Sequence, residues 1–96
     1  PQRLALAGES AGGNLAVATA MAARQAGLTQ PRHVLSIYPI ASNDLASESY
    51  RENANAMPLN RALMAWFFHH TLARPEQAAD PRINLVAADL RGLPPV

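Results

Sequence analysis

The chain has 96 residues, 49% of them hydrophobic, which fits one domain at most and excludes two. Eight basic and seven acidic residues leave a formal charge of +1, too even a balance to draw nucleic acid or an anionic lipid surface, so neither is expected as a partner. Every basic residue is an arginine and there is no cysteine, which removes lysine bases, Schiff bases, phosphate-loop lysines, disulfides, thiolate metal sites and cysteine nucleophiles together.

Arg3 to Ala7 reads RLALA, a short apolar run that stops at Gly8, and is expected to form a buried strand. From Gly13 to Gln25 the composition is Ala-rich, with Leu15, Val17 and Met21 among small residues. That predicts a helix slim enough to pack closely on a sheet, and Gly27 supplies the left-handed residue that ends it. His33 to Tyr38 (HVLSIY), bounded by Pro39, reads as a second buried strand. Strand, helix and strand in this order imply a parallel pair with a right-handed crossover. Ala41 to Met57 is polar and aperiodic, a long loop with room for one helical turn. Asn60 is placed to cap a helix running to about Arg74, on which Leu63, Met64, Trp66, Phe67, Phe68 and Leu72 cover more than one stripe. Such a helix is either widely buried or lines a pocket. Asp80 to Pro95 is irregular chain leading to a strand expected from about Val96.

The chemistry concentrates at the first junction. Gly8-Glu9-Ser10-Ala11-Gly12 matches G-x-S-x-G where a predicted strand meets a predicted helix, the context that gives this short pattern meaning. A serine poised for attack must stand clear of the sheet on a sharp, strained turn, and such a turn crowds the residues two before and two after it. Only very small residues are expected to fit there, hence Gly8 and Gly12. The helix starting behind Ser10 aims backbone N–H groups at an oxyanion formed during acyl transfer, with Ala11 N–H the expected donor. Gly13 lets the backbone pass close to its neighbours, and Asn14 is suited to hydrogen-bonding nearby loops without adding charge. A nucleotide-binding glycine loop is the rival reading, but the glycines lack G-x-G-x-x-G spacing and Glu9 would set a carboxylate beside the phosphates.

The segment GESAGGNLA, Gly8 to Ala16, resembles the nucleophile region of the hormone-sensitive-lipase-like esterases of the α/β-hydrolase superfamily. Tyr38-Pro39, Trp66-Phe67-Phe68, Asp89-Leu90 and Gly92-Leu93-Pro94-Pro95 are similar to that family in the same order. The sequence departs from the family at Glu9, usually aspartate, at Thr71, usually tyrosine, and at Asn84-Leu85, usually Ser-Pro. The resemblance implies an α/β fold: parallel strand, elbow, helix and strand, then a loop and an aromatic-rich helix. Residues 1–96 would be a partial α/β-hydrolase catalytic domain, from the nucleophile strand to just before the catalytic-acid strand.

It further implies that a His-Gly-Gly-Gly oxyanion loop precedes Pro1 and that the catalytic Asp and His follow Val96. The expected function is a serine hydrolase of short or medium acyl esters, acting through an acyl-enzyme on Ser10 without metal or organic cofactor. The isolated chain is expected to be nearly inactive, and to need the remaining segments of the hydrolase or another copy for a stable fold. Among the visible residues, Asp44 is the best-placed carboxylate and Trp66 and Phe67 are possible pocket walls, each with a blander reading as loop cap or core. His33, His69 and His70 read as structural or solvated. A non-catalytic small-molecule binding protein on the same scaffold is the alternative, and a complete structural protein a third. No apolar run approaches the roughly 20 residues of a membrane span. The lack of cysteine slightly favours the cytoplasm.

Overall fold

The computed structural model describes residues 3–96. The chain divides into two units, Pro1–Ser42 with Pro81–Val96, and Asn43–Asp80.

In the first unit, β1 (Leu6–Glu9) and β2 (Val34–Ile37) form a two-stranded parallel sheet. Leu6 pairs with Val34 and Glu9 with Ile37. Helix α1 (Ala11–Gln25) connects them. Gly13, Ala16, Val17, Ala20 and Met21 are buried on it, one stripe at helical spacing. Small residues dominate this stripe, so the helix lies close on the sheet. The core comprises Ala16, Val17, Ala20, Met21, Val34 and Leu85, with Leu6, Ala41, Ala88 and Leu93 packed on it. Leu85 belongs to a short 3-10 turn, Leu85–Ala87. The helix ends as expected at Gly27, with φ of 65°. Leu28 N–H donates to the Ala23 carbonyl and Gly27 N–H to that of Arg24, the paired bonds of a Schellman ending.

Two expectations need correction. The first strand begins at Leu6 rather than Arg3 and runs on through Glu9. The paired register begins at Leu6 and Val34, although ahead of it the Arg32 N–H still donates to the Leu4 carbonyl at 2.7 Å. The strands are also not buried on both faces: Leu35 and Ile37 are 52% and 41% exposed. Side chains alternate across a sheet, and α1 covers only the face of Leu6, Gly8, Val34 and Ser36.

The edge of β2 opposite β1 is engaged at one point. The His33 carbonyl faces β1, accepting from Leu6 N–H, so Val34 N–H faces the other way and donates to the Pro95 carbonyl at 2.9 Å. The irregular C-terminal stretch thus arrives at the edge where a third strand would lie.

In the second unit, the polar loop contains α2 (Glu48–Glu52), and α3 (Arg61–Thr71) follows. Asn60 caps α3 as expected, its side chain accepting from Leu63 N–H at 2.9 Å. A 3-10 turn, Pro75–Ala79, closes the unit. Of the two outcomes expected of α3, wide burial or lining a pocket, wide burial is not found. Met64 is its buried residue, Leu63 and Phe68 are half-buried, and Trp66 and Phe67 are 53% and 46% exposed. Among the described residues no helix is long and apolar enough to cross a membrane.

Candidate active site

Ser10 is the single residue between β1 and α1. Its φ of 54° and ψ of −119° lie where L-residues are strained, a conformation that persists only if the surroundings impose it. They do so through the backbone. Ser10 N–H donates to the Ile37 carbonyl at 3.0 Å, and its own carbonyl accepts from Asn14 N–H and Ile40 N–H, both at 3.2 Å.

A serine at a helix N-cap ordinarily turns its hydroxyl onto the N–H of the second or third helical residue. Ser10 makes no such bond. The strained torsions hold the half-buried side chain away from that role and leave its hydroxyl uncommitted to the helix. Asn14 is the first residue of α1 with an i−4 acceptor, so the N–H groups of Ala11, Gly12 and Gly13 have no intrahelical partner. With no acidic residue in the first turn to answer them, these donors and the helix dipole form an electropositive end beside Ser10.

The three glycines are not equivalent. A Cβ on Gly8 would lie 2.1 Å from the Gly12 carbonyl oxygen, and one on Gly13 would lie 3.1 Å from Pro39 Cβ and Ser36 Oγ. At Gly12 a Cβ meets nothing within 4 Å. The expectation that Gly12 must be small for steric reasons is therefore wrong in this structure. The turn folds the Gly12 backbone over Gly8, and the crowding falls on Gly8. Gly13 allows the close approach to β2 expected of it, where Ser36 Oγ donates to the Gly13 carbonyl at 3.1 Å.

Asn14 is 8% exposed and bridges loops as foreseen. Its amide donates to the Ile40 carbonyl at 2.7 Å and to the Ile83 carbonyl at 3.4 Å. Glu9 lies on the open face of the sheet and accepts a hydrogen bond from the Tyr38 hydroxyl. That bond, with the Glu9 charge, raises the Tyr38 pKa above 10.0. Tyr38 also has positive φ, 34°. His33 is at the opposite end of β2 from the residues that touch Ser10, about 13 Å along the strand.

The remaining candidates fall in the second unit. Asp44 is exposed and accepts from Ala46 N–H at 2.8 Å, the loop-capping role. Trp66 and Phe67 are exposed rather than core, and Trp66 packs edge-on to Phe67 and tilted against His70, with ring centroids 5.3 and 4.4 Å apart. Sequence reasoning missed the groups that grip Ser10, the backbones of Ile37 and Ile40. Every residue carries such groups, so no residue type marks them. The Tyr38-Pro39 pair was the one local signal of an unusual backbone there.

The sequence matches the alpha/beta hydrolase fold family over residues 1–96. It is 36% identical to carboxylesterase NlhH of Mycobacterium tuberculosis over 99 residues, covering 99% of this chain and 31% of that protein. A thermostable esterase from Pseudomonas putida superposes with a TM-score of 0.91 at 31% identity, over 98% of this chain and 30% of its own. A hyperthermophilic esterase from Pyrobaculum calidifontis gives 0.86 at 37% identity, over 95% and 31%. The chain thus spans about a third of the length of the relatives it matches. With its parallel sheet, strained elbow and match along all 96 residues, this chain belongs to the α/β-hydrolase family, in its hormone-sensitive-lipase-like branch.

Proposed function

We propose that the protein is a carboxylic ester hydrolase in which Ser10 is the nucleophile, and that residues 1–96 are the central part of its catalytic domain. The observation that carries this reading is Ser10 itself, strained between β1 and α1 with its hydroxyl withheld from capping the helix. In the proposed reaction Ser10 Oγ attacks the ester carbonyl carbon while a histidine base takes the hydroxyl proton. The carbonyl oxygen becomes an oxyanion stabilised by Ala11 N–H at the positive end of α1. Collapse expels the alcohol, which receives the proton, and leaves an acyl group on Ser10. Water then releases the acid by the reverse proton path. The base and its carboxylate partner are assigned to parts of the protein outside this chain, so residues 1–96 alone are nearly inactive.

The test is covalent labelling of the full-length natural protein with a fluorophosphonate, followed by peptide mass analysis. Modification at Ser10, with hydrolysis of p-nitrophenyl acetate abolished by Ser10→Ala, supports the reading. A folded protein that does not label at Ser10 overturns it and favours a binding protein on the same scaffold.

A further inference from the structure

The geometry points to Asn14 as the positioning residue of Ser10, acting through the peptide that follows β2. This rests on the proposed role of Ser10. Three hydrogen bonds close a ring: Asn14 N–H and Ile40 N–H both donate to the Ser10 carbonyl at 3.2 Å, and the Asn14 amide donates to the Ile40 carbonyl at 2.7 Å. Ile40 is therefore held at both ends, its N–H by the carbonyl of the strained Ser10 and its carbonyl by the Asn14 side chain. Its second bond, to the Ile83 carbonyl, ties in chain 69 residues away.

Asparagine suits this place for stated reasons. Its amide donates two protons from one nitrogen, enough for both carbonyls, and it brings no charge into a site only 8% exposed. Aspartate has the same size but no donor when ionised. Loss of the amide leaves the Ile40 carbonyl without this partner and frees the Ile40 peptide to drift. The Ser10 carbonyl then keeps only the helical bond from Asn14 N–H, and the strained torsions are less firmly imposed.

The Asn14 amide is directed to the Ile40 and Ile83 carbonyls rather than to the Ser10 hydroxyl, so its effect is on the geometry of attack.

The test is the rate of fluorophosphonate labelling of the full-length natural protein, unsubstituted, with Asn14→Ala, and with Met21→Ala as a control. Met21 is a core residue of the same helix outside the hydrogen-bonded ring. The labelling endpoint counts folded molecules, and the rate constant reports how well each presents its serine. Asn14→Ala is expected to lower the rate constant by on the order of 10- to 100-fold, the scale of a small misplacement of a reacting group. Met21→Ala lowers the endpoint and keeps the rate constant. An unchanged rate constant in Asn14→Ala sinks the positioning role alone. An unsubstituted protein that does not label sinks the Ser10 reading and this inference with it. Amide hydrogen exchange of the unsubstituted protein gives a second check that needs no variant to fold: Ile40 N–H is expected to be protected as strongly as Asn14 N–H, and exchange at an unprotected rate overturns the ring.

Discussion

Ser10 and Tyr38 each stand one residue beyond the last paired positions of their strands, Glu9 and Ile37, and both have positive φ, 54° and 34°. Two adjacent strand ends thus turn through torsions that side-chain-bearing residues avoid, which costs on the order of 1–3 kcal/mol each. The arrangement persists because the Ser10 backbone is bonded on both sides to the β2 strand and the loop after it.

The strain at Ser10 has a direct test. Glycine reaches positive φ without a Cβ penalty, so Ser10→Gly is expected to raise stability by about 1 kcal/mol, after allowing for the added freedom of its unfolded chain. Ser10→Ala keeps the penalty and gains nothing comparable. Urea unfolding of both variants distinguishes them; equal midpoints would mean that the torsion is not strained.

The three elbow glycines should rank differently from their places in the motif. Gly8→Ala forces a Cβ within 2.1 Å of backbone and is expected to cost more than about 3 kcal/mol. Gly13→Ala presses on Pro39 and Ser36 at 3.1 Å and should cost about 1–3 kcal/mol. Gly12→Ala meets no atom within 4 Å and lies in a helix, so it should be neutral or stabilising by up to about 1 kcal/mol. Thermal unfolding gives the order, and a Gly12 variant as damaged as Gly8 would contradict it.

The Tyr38 hydroxyl ionises above 10.0 because it donates to Glu9, faces that negative charge, and is partly desolvated. Since the folded value is raised, this interaction stabilises the fold fully below pH 10.0 and is lost as pH climbs through the folded value. Glu9→Gln removes the charge and should lower the Tyr38 midpoint. Ultraviolet titration of the phenolate, with Tyr38→Phe as the blank, measures it; an unmoved midpoint would remove Glu9 as the cause.

Arg24, in the last turn of α1, donates to the carbonyls of Arg91 and Asp89, the latter at 2.8 Å. Its planar fork grips two acceptors at once, which a lysine ammonium does not reproduce. Arg24→Ala and Arg24→Lys are both expected to loosen the turn at Gly92, with a loss of about 1–2 kcal/mol for alanine. Faster amide exchange at Leu93, whose N–H donates to the Leu90 carbonyl, is the readout. Asp89 at this turn is held well below the ordinary carboxylate range by hydrogen bonds from the Arg91 side chain and backbone and by the nearby guanidinium charges. Its contribution is therefore full above pH 3.8 and fades only as pH falls well below that.

What the sequence determined by itself was local. The Gly27 ending of α1 and the Asn60 cap of α3 depend on torsions and hydrogen bonds among residues a few positions apart, and residue type records those preferences; the motif marked where the elbow falls, while its Ser10 torsions are held by Ile37 and Ile40. The tertiary structure decided what depends on distant segments. It set the start of β1 by the ladder β2 offers, kept the steric demand at Gly8 and lifted it from Gly12, left Trp66 and Phe67 exposed, and brought Asn14 to Ile40 and Ile83. Those contacts are made largely by backbone carbonyls and N–H groups, which are the same in every residue. Only the path of the chain selects which of them meet.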